Sequence, residues 1–180
     1  MKQANVLDTQ DLLIQKVSEL PSKILKHHET QNLPQVLLTY LGHQDCFDLE
    51  RAAYIVDNPD FDHMVGIAGF AQKDFEMKEV EELWGNPIAL HDTFMNLNFN
   101  KRVKNYLQDS LNRRGLSVDN SKSLLRIGKE LGLSNSQSLC WNLKHGNHGL
   151  FLFEPKKEMS TKEQHLLKTA AMMLGFCSLF

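Results

Sequence analysis

The run from Gln137 to Phe153, followed by Ser160-Thr161-Lys162-Glu163, constrains the fold more than any other part of the chain. Apolar residues alternate up to a turn, His145-Gly146-Asn147-His148-Gly149, and resume as Leu150-Phe151-Leu152-Phe153. Two such runs joined by a turn rich in glycine and asparagine predict a β-hairpin. On its first strand, Leu139, Trp141 and Leu143 share one face, and Ser138, Cys140 and Asn142 the other. Ser160 with Glu163 predicts a helix start: the serine hydroxyl accepts from the backbone N–H of Glu163, and the carboxylate bonds back to the serine N–H. Leu166, Leu167, Ala170, Ala171, Leu174 and Cys177 then form an apolar stripe wide enough to cover a sheet.

Upstream, Asp8 or Thr9 is expected to cap a first helix whose apolar row is Leu13, Val17, Leu20 and Ile24. Pro21 kinks or restarts it, because proline lacks an N–H and clashes with the preceding turn. A polar break follows at residues 27–32, and Pro34 opens a second helix that Gly42 ends. Residues 52–56 and 63–70 predict paired strands around a turn at 57–60. Gly66 and Gly69 weaken the second strand or mark a close backbone approach. Asp74 is expected to cap a helix with an acidic face (Glu76, Glu79, Glu81, Glu82), stopped at Gly85-Asn86-Pro87. A further helical pattern runs through Leu90, Phe94, Leu97, Val103, Leu107 and Leu111 to a C-cap at Gly115. A short helix over 121–131 ends at Gly132. Paired strands separated by helices predict an α+β fold with an antiparallel sheet, not βαβ units.

A chain of 180 residues buries roughly 70% of its unfolded surface and needs neither disulfide nor metal to hold a core. The formal net charge of −2 gives no global attraction to nucleic acid or anionic lipid. Three widely spaced cysteines, at 46, 140 and 177, form no Cys-x-x-Cys pair, so reduced thiols in the cytoplasm are expected. The N-terminus carries no apolar run of the kind a signal peptide or membrane span needs.

With this order of elements, two blocks of residues resemble the GAF domain family of small-molecule sensors. The first is Leu33-Pro34-Gln35-Val36-Leu37-Leu38-Thr39-Tyr40-Leu41 with Glu50-Arg51-Ala52-Ala53-Tyr54-Ile55-Val56-Asp57, which looks like the family's opening helix and first strand. The second is Ser138-Leu139-Cys140-Trp141-Asn142-Leu143, Gly149 to Phe153, and the Ser160 to Leu167 helix, which looks like its closing hairpin and helix. The resemblance implies an N-terminal helical segment over 1–32 and a GAF-like domain over 33–180. It implies an antiparallel sheet with the N- and C-terminal helices on one face and variable helices over the other. A stand-alone sensory or regulatory domain, non-enzymatic, is then expected, with a small-molecule pocket between the sheet and the helices of 74–131. Trp84, Phe94, Phe99, Cys140 and Asn142 are the candidate ligand-binding residues; the resemblance names no cofactor. In multidomain relatives the closing helix would run on into an output domain. With no output domain expected after Phe180, the terminal helices are expected to pair with a second copy or a protein partner.

Two alternatives stand beside this reading. One is an interaction or dimerisation module of the same fold, its pocket filled by side chains such as Trp84 and Phe94. The other is a small redox enzyme of the methionine-sulfoxide-reductase type using Cys46 or Cys140, although that group's cysteine-bearing segments are not recognisable here. His27 and His28 are adjacent, about 100° apart on a helix, and form no two-ligand clip. His145 and His148 flank a turn without a third ligand, and His91-Asp92 is a sequence neighbour pair rather than a dyad. Phosphate-loop and dinucleotide fingerprints are absent. Lys101-Arg102-Val103-Lys104, with Arg113-Arg114, is the basic cluster; a solvated face is favoured over a nucleic-acid site.

Overall fold

The computed structural model of the chain describes residues 2–28, 32–74, 87–118 and 120–177. Its sequence order is α1 (Lys2–Ser18), α2 (Leu20–His27), α3 (Leu33–Gly42), β1 (Leu49–Asn58), β2 (His63–Ala71), α4 (Pro87–Asn96), α5 (Asn98–Lys104), β3 (Leu107–Asp109), α6 (Ser121–Leu131), β4 (Gln137–Asn142), β5 (His148–Pro155) and α7 (Thr161–Met172). Short 3₁₀ turns follow β2, link β4 to β5 and extend α7. The fold is α+β. Its five strands form one antiparallel sheet in the order β3-β2-β1-β5-β4. β1 lies at the centre, pairing Tyr54 with Ala68 on β2 and with Phe151 on β5.

The alternation of strand side chains divides the core in two. Ala52, Tyr54, Ala68, Phe70, Phe151 and Phe153 point to one side, where α1, α2, α3 and α7 cover them. Leu13, Val17 and Leu20 join this cluster, so the first two helices pack into the same core as the sheet. All ten residues of α3 are buried. On the opposite face Ala53, Ile55, Met64, Leu150 and Leu152 meet α5 and α6. Their partners there include Val103, Leu124 and Ile127. The terminal helices thus share one face and α5 and α6 lie over the other, whereas α4 sends Phe94 into the terminal-helix core.

Local chemistry accounts for the boundaries. Pro21 sits in the first turn of α2 and Pro34 in that of α3, where a missing N–H costs nothing. The Ser160–Glu163 capping box is present in full at the start of α7. Gly132 ends α6 at φ 84°, in the left-handed region that relieves the last carbonyls of a helix.

The glycines of β2 mark a close approach. A Cβ on Gly66 would lie 1.8 Å from the Val103 carbonyl oxygen, and one on Gly69 would lie 2.6 Å from Val103 Cγ2. α5 therefore rests directly on the β2 backbone. Beyond the three residues that β3 covers, the Gly66 N–H donates to the Tyr106 carbonyl at 2.9 Å and side-chain amides hold Gly69. Gln35 Nε2 donates to the Gly69 carbonyl at 2.7 Å, and the Gly69 N–H donates to Asn100 Oδ1 at 3.0 Å and to Gln35 Oε1 at 3.3 Å.

Three expectations are corrected. α1 already runs from Lys2, so Asp8 and Thr9 lie inside it; nothing in Gln3-Ala4-Asn5-Val6-Leu7 stops a helix earlier. The helical pattern through Leu107 and Leu111 breaks at Asn105. Leu107 lies in β3, opposite Val65, because the open edge of β2 supplies hydrogen-bond partners that outweigh local periodicity. Gly115, at φ 64°, closes a turn with its N–H on the Asn112 carbonyl and caps no helix. Asp74 accepts from the backbone N–H of Phe99 at 2.9 Å, supplying from a distance the cap that Leu97 cannot give α5. The helix that Asp74 is expected to cap, with its acidic run Glu76–Glu82, lies outside the described residues.

Candidate functional site

The face of β1 that carries Ala53 and Ile55 also carries Arg51, at the end of the strand where β2 finishes. Lys73 and Asp74 lie just past the end of β2. The glycine-mediated seating of α5 brings Asn98, Phe99 and Arg102 over this corner. Together the six residues line a cavity of about 180 Å³, open to solvent, between the sheet and α5. A separate apolar cleft between α2 and α3 measures about 10 Å³, near the minimum for a single water.

Charge in the larger cavity is one-sided: Arg51, Lys73 and Arg102 against the single lining carboxylate, Asp74, one of whose oxygens already serves the Phe99 N–H. Arg51 Nη1 donates to the Gly132 carbonyl at 2.6 Å, while its Nε is buried with no hydrogen-bond partner among the described residues. The Arg51 guanidinium stands 5.9 Å from the centre of the Phe99 ring, within range of a cation–π attraction. Arg102 reaches the same glycine from α5: a Cβ on Gly132 would lie 2.7 Å from its Nη1. Gly132 is thus required twice, by its positive φ and by the guanidinium packed against it. Glu154, opposite Arg51 on β5, spends Oε1 on the N–H groups of Ser134 and, at 2.8 Å, Asn135.

The structure distributes the residues singled out in sequence. Trp84 lies outside the described residues. Phe94 is 1% exposed in the terminal-helix core. Phe99 lines the cavity. Cys140 shares that face of the sheet but sits on the edge strand β4, its Sγ 3.4 Å from the Val118 carbonyl. Asn142 is exposed at the far end of β4, opposite His148. Trp141 faces the terminal-helix core and stacks on Tyr54 at 5.7 Å. Sequence reasoning missed Arg51, Lys73, Asp74 and Asn98 as residues that line the cavity, and it placed Arg102 only within the basic cluster. The available signal was an arginine directly before the apolar run Ala52–Val56 of the central strand.

The basic cluster disperses. Arg102 turns to the cavity, Lys101 reaches Asn96 Oδ1 at 3.4 Å, Val103 is buried, and Lys104 reaches Asn32 Oδ1 at 3.4 Å. Arg113 pairs with Asp62 at 2.5 Å, and Arg114 pairs with Glu130 at 2.6 Å beside the Tyr106 hydroxyl.

None of the three cysteines is in a disulfide; Cys46 and Cys177 pack on the terminal-helix core and Cys140 on the opposite one. Burial pushes the Cys46 and Cys177 thiols up to about 12, which keeps them protonated and poorly nucleophilic near neutrality. At the other end of the sheet the buried Asp57 accepts from the Leu111 N–H at 3.2 Å. His148 Nδ1 stands 3.5 Å from Asp57 Oδ2 without forming a hydrogen bond. Burial raises the Asp57 carboxyl above its ordinary value, and the Leu111 N–H and His148 oppose that shift without cancelling it. Among the described residues no three His, Cys, Asp or Glu side chains converge as metal ligands, and no helix is long and apolar enough to cross a membrane.

Comparison of the chain with protein-family models, curated proteins and solved structures yields no match.

Proposed function

We propose that this chain is a non-enzymatic sensory or regulatory domain of GAF-like build, acting in the cytoplasm, that binds a small molecule in the cavity between β1 and α5. The observation that carries the reading is the cavity itself, of about 180 Å³, at the corner where β1, the end of β2 and α5 meet. Its supports are the antiparallel sheet centred on β1, the terminal helices on one face, and the location of the cavity on the other. Ligand sites are commonly concave, with a few polar groups fixing orientation against apolar walls, and Phe99 beside Arg51 and Arg102 gives that mixture. Binding regulates only if the ligand favours one arrangement of α5 over another. Mass spectrometry of molecules released from the purified protein, with a thermal-shift screen of metabolites, tests the reading. A retained or stabilising small molecule is the expected result; an empty protein that no compound stabilises would reject it.

A second reading, an interaction module, draws on the exposed apolar residues of the terminal-helix layer. Leu12 and Ile14 on α1, Leu25 on α2, Met172 on α7 and Phe176 just beyond it are all exposed. Pairing of these helices with a second copy predicts a dimer at tens of micromolar in sedimentation; a monomer there would count against it.

A further inference from the structure

We infer that the cavity bounded by Arg51, Lys73, Arg102 and Phe99 binds a small organic oxyanion, a molecule presenting a phosphate or carboxylate group to the two arginines. The inference rests on the small-molecule reading above and adds the chemical class of the ligand. Two guanidinium groups converge on Gly132 from different elements, Arg51 along β1 and Arg102 from α5. Like charges held this close repel one another, and an anion between them removes the repulsion. Arg51 Nη1 is occupied by the Gly132 carbonyl, but its buried Nε has no hydrogen-bond partner among the described residues. A buried donor left unsatisfied costs free energy that an incoming acceptor recovers.

Arginine forks match the paired oxygens of carboxylate and phosphate, and both bond types are charge-assisted. Lys73, exposed and part of the lining, adds an ammonium. The lining carries three cations and one carboxylate, so a singly or doubly negative group is matched and a cation is disfavoured. The volume, about 180 Å³, falls below the roughly 300–1,000 Å³ of pockets for drug-sized ligands. A compact oxyanion, or the anionic end of a larger molecule lying against Phe99, fits that space.

The test is calorimetric titration of the full chain with inorganic phosphate and with succinate, at fixed ionic strength with chloride as reference. Saturable binding of at least one is expected, and which one binds distinguishes phosphate-bearing from carboxylate ligands. Arg102→Gln should weaken it at least tenfold while keeping the circular dichroism spectrum and Tm of the parent. Lys101→Gln removes the same charge from a neighbouring position directed at Asn96 and should change affinity less than twofold. Absence of saturable binding by both anions would overturn the inference, as would equal weakening by the two variants, which would mark diffuse charge attraction. A neutral compound that binds the parent and Arg102→Gln equally would also overturn it while leaving the small-molecule reading intact.

Discussion

On the side of the terminal helices the sheet presents aromatic rings, Tyr54, Phe70, Phe151 and Phe153, and a helix, α3, buried on every residue lies against them. On the other side it presents smaller aliphatic residues and two glycines, and its closest cover is the seven-residue α5, which carries three cationic side chains. The first layer is filled to contact: a Cβ on Gly42 would lie 2.3 Å from Phe70. The second seats one helix on bare backbone and leaves a charged hollow beside it. The contrast separates two tasks. Bulk apolar burial holds the fold on one side, and close backbone geometry positions polar groups on the other.

The sharpest break of this comparison is Phe151→Ala. Removing a fully buried ring from the aromatic layer should cost about 3–5 kcal/mol in denaturant unfolding. The anion binding inferred above should survive in the folded protein, because Arg51 and Arg102 lie on the opposite face. Gly66→Ala attacks the other layer. Its Cβ would meet the Val103 carbonyl, so α5 must retreat, at a cost of about 1–3 kcal/mol for overpacking. Here anion affinity should fall with stability, measured by titration of the folded protein; an affinity unchanged by Gly66→Ala would show that α5 does not position the cavity. Ser160→Ala removes the side-chain half of the α7 cap and should cost about 1 kcal/mol, seen as faster amide exchange in the first turn of that helix alone.

The smallest effect concerns Asp57. Burial raises its carboxyl in the folded chain, so the folded state holds the proton more tightly than the unfolded state does. The associated stability is present below the unfolded carboxylate value and is lost as pH rises through the folded one. Asp57→Asn, which keeps an acceptor for the Leu111 N–H, should match the parent near pH 4 and be the more stable of the two near pH 7. Urea unfolding at both pH values checks this. A parent that gains on the variant with rising pH would mean that His148 and Leu111 together outweigh burial.

Much of the frame is legible in the sequence because it is written locally. Ser160 and Glu163 specify a cap by their spacing, Pro21 and Pro34 specify helix starts by their missing N–H, and Gly132 specifies a stop by the φ it permits. The strand assignment of Leu107 is not legible there, since it depends on an open edge more than 40 residues away in sequence. For the same reason the bond from the Phe99 N–H to Asp74 is hidden, since it joins residues 25 positions apart. The cavity is hidden twice over. Its aromatic member is identifiable, but Arg51 and Arg102 meet only because α6 ends at Gly132 where β1 begins its course beneath α5. Residue type suggests apolar pocket walls; the fold gathers charges instead.

The two amides on Gly69 carry a consequence for how the protein behaves in a crowded solution. An uncovered strand edge is a template on which a second chain can add and a stack can begin. β3 blocks only the first part of the β2 edge, and beyond it Gln35 and Asn100 occupy the peptide that another strand would need. Both side chains are nearly inaccessible, 1% exposed, so an incoming chain cannot easily displace them. On this side of the sheet they act as chain terminators, opposing growth there with hydrogen bonds that a second molecule would have to break.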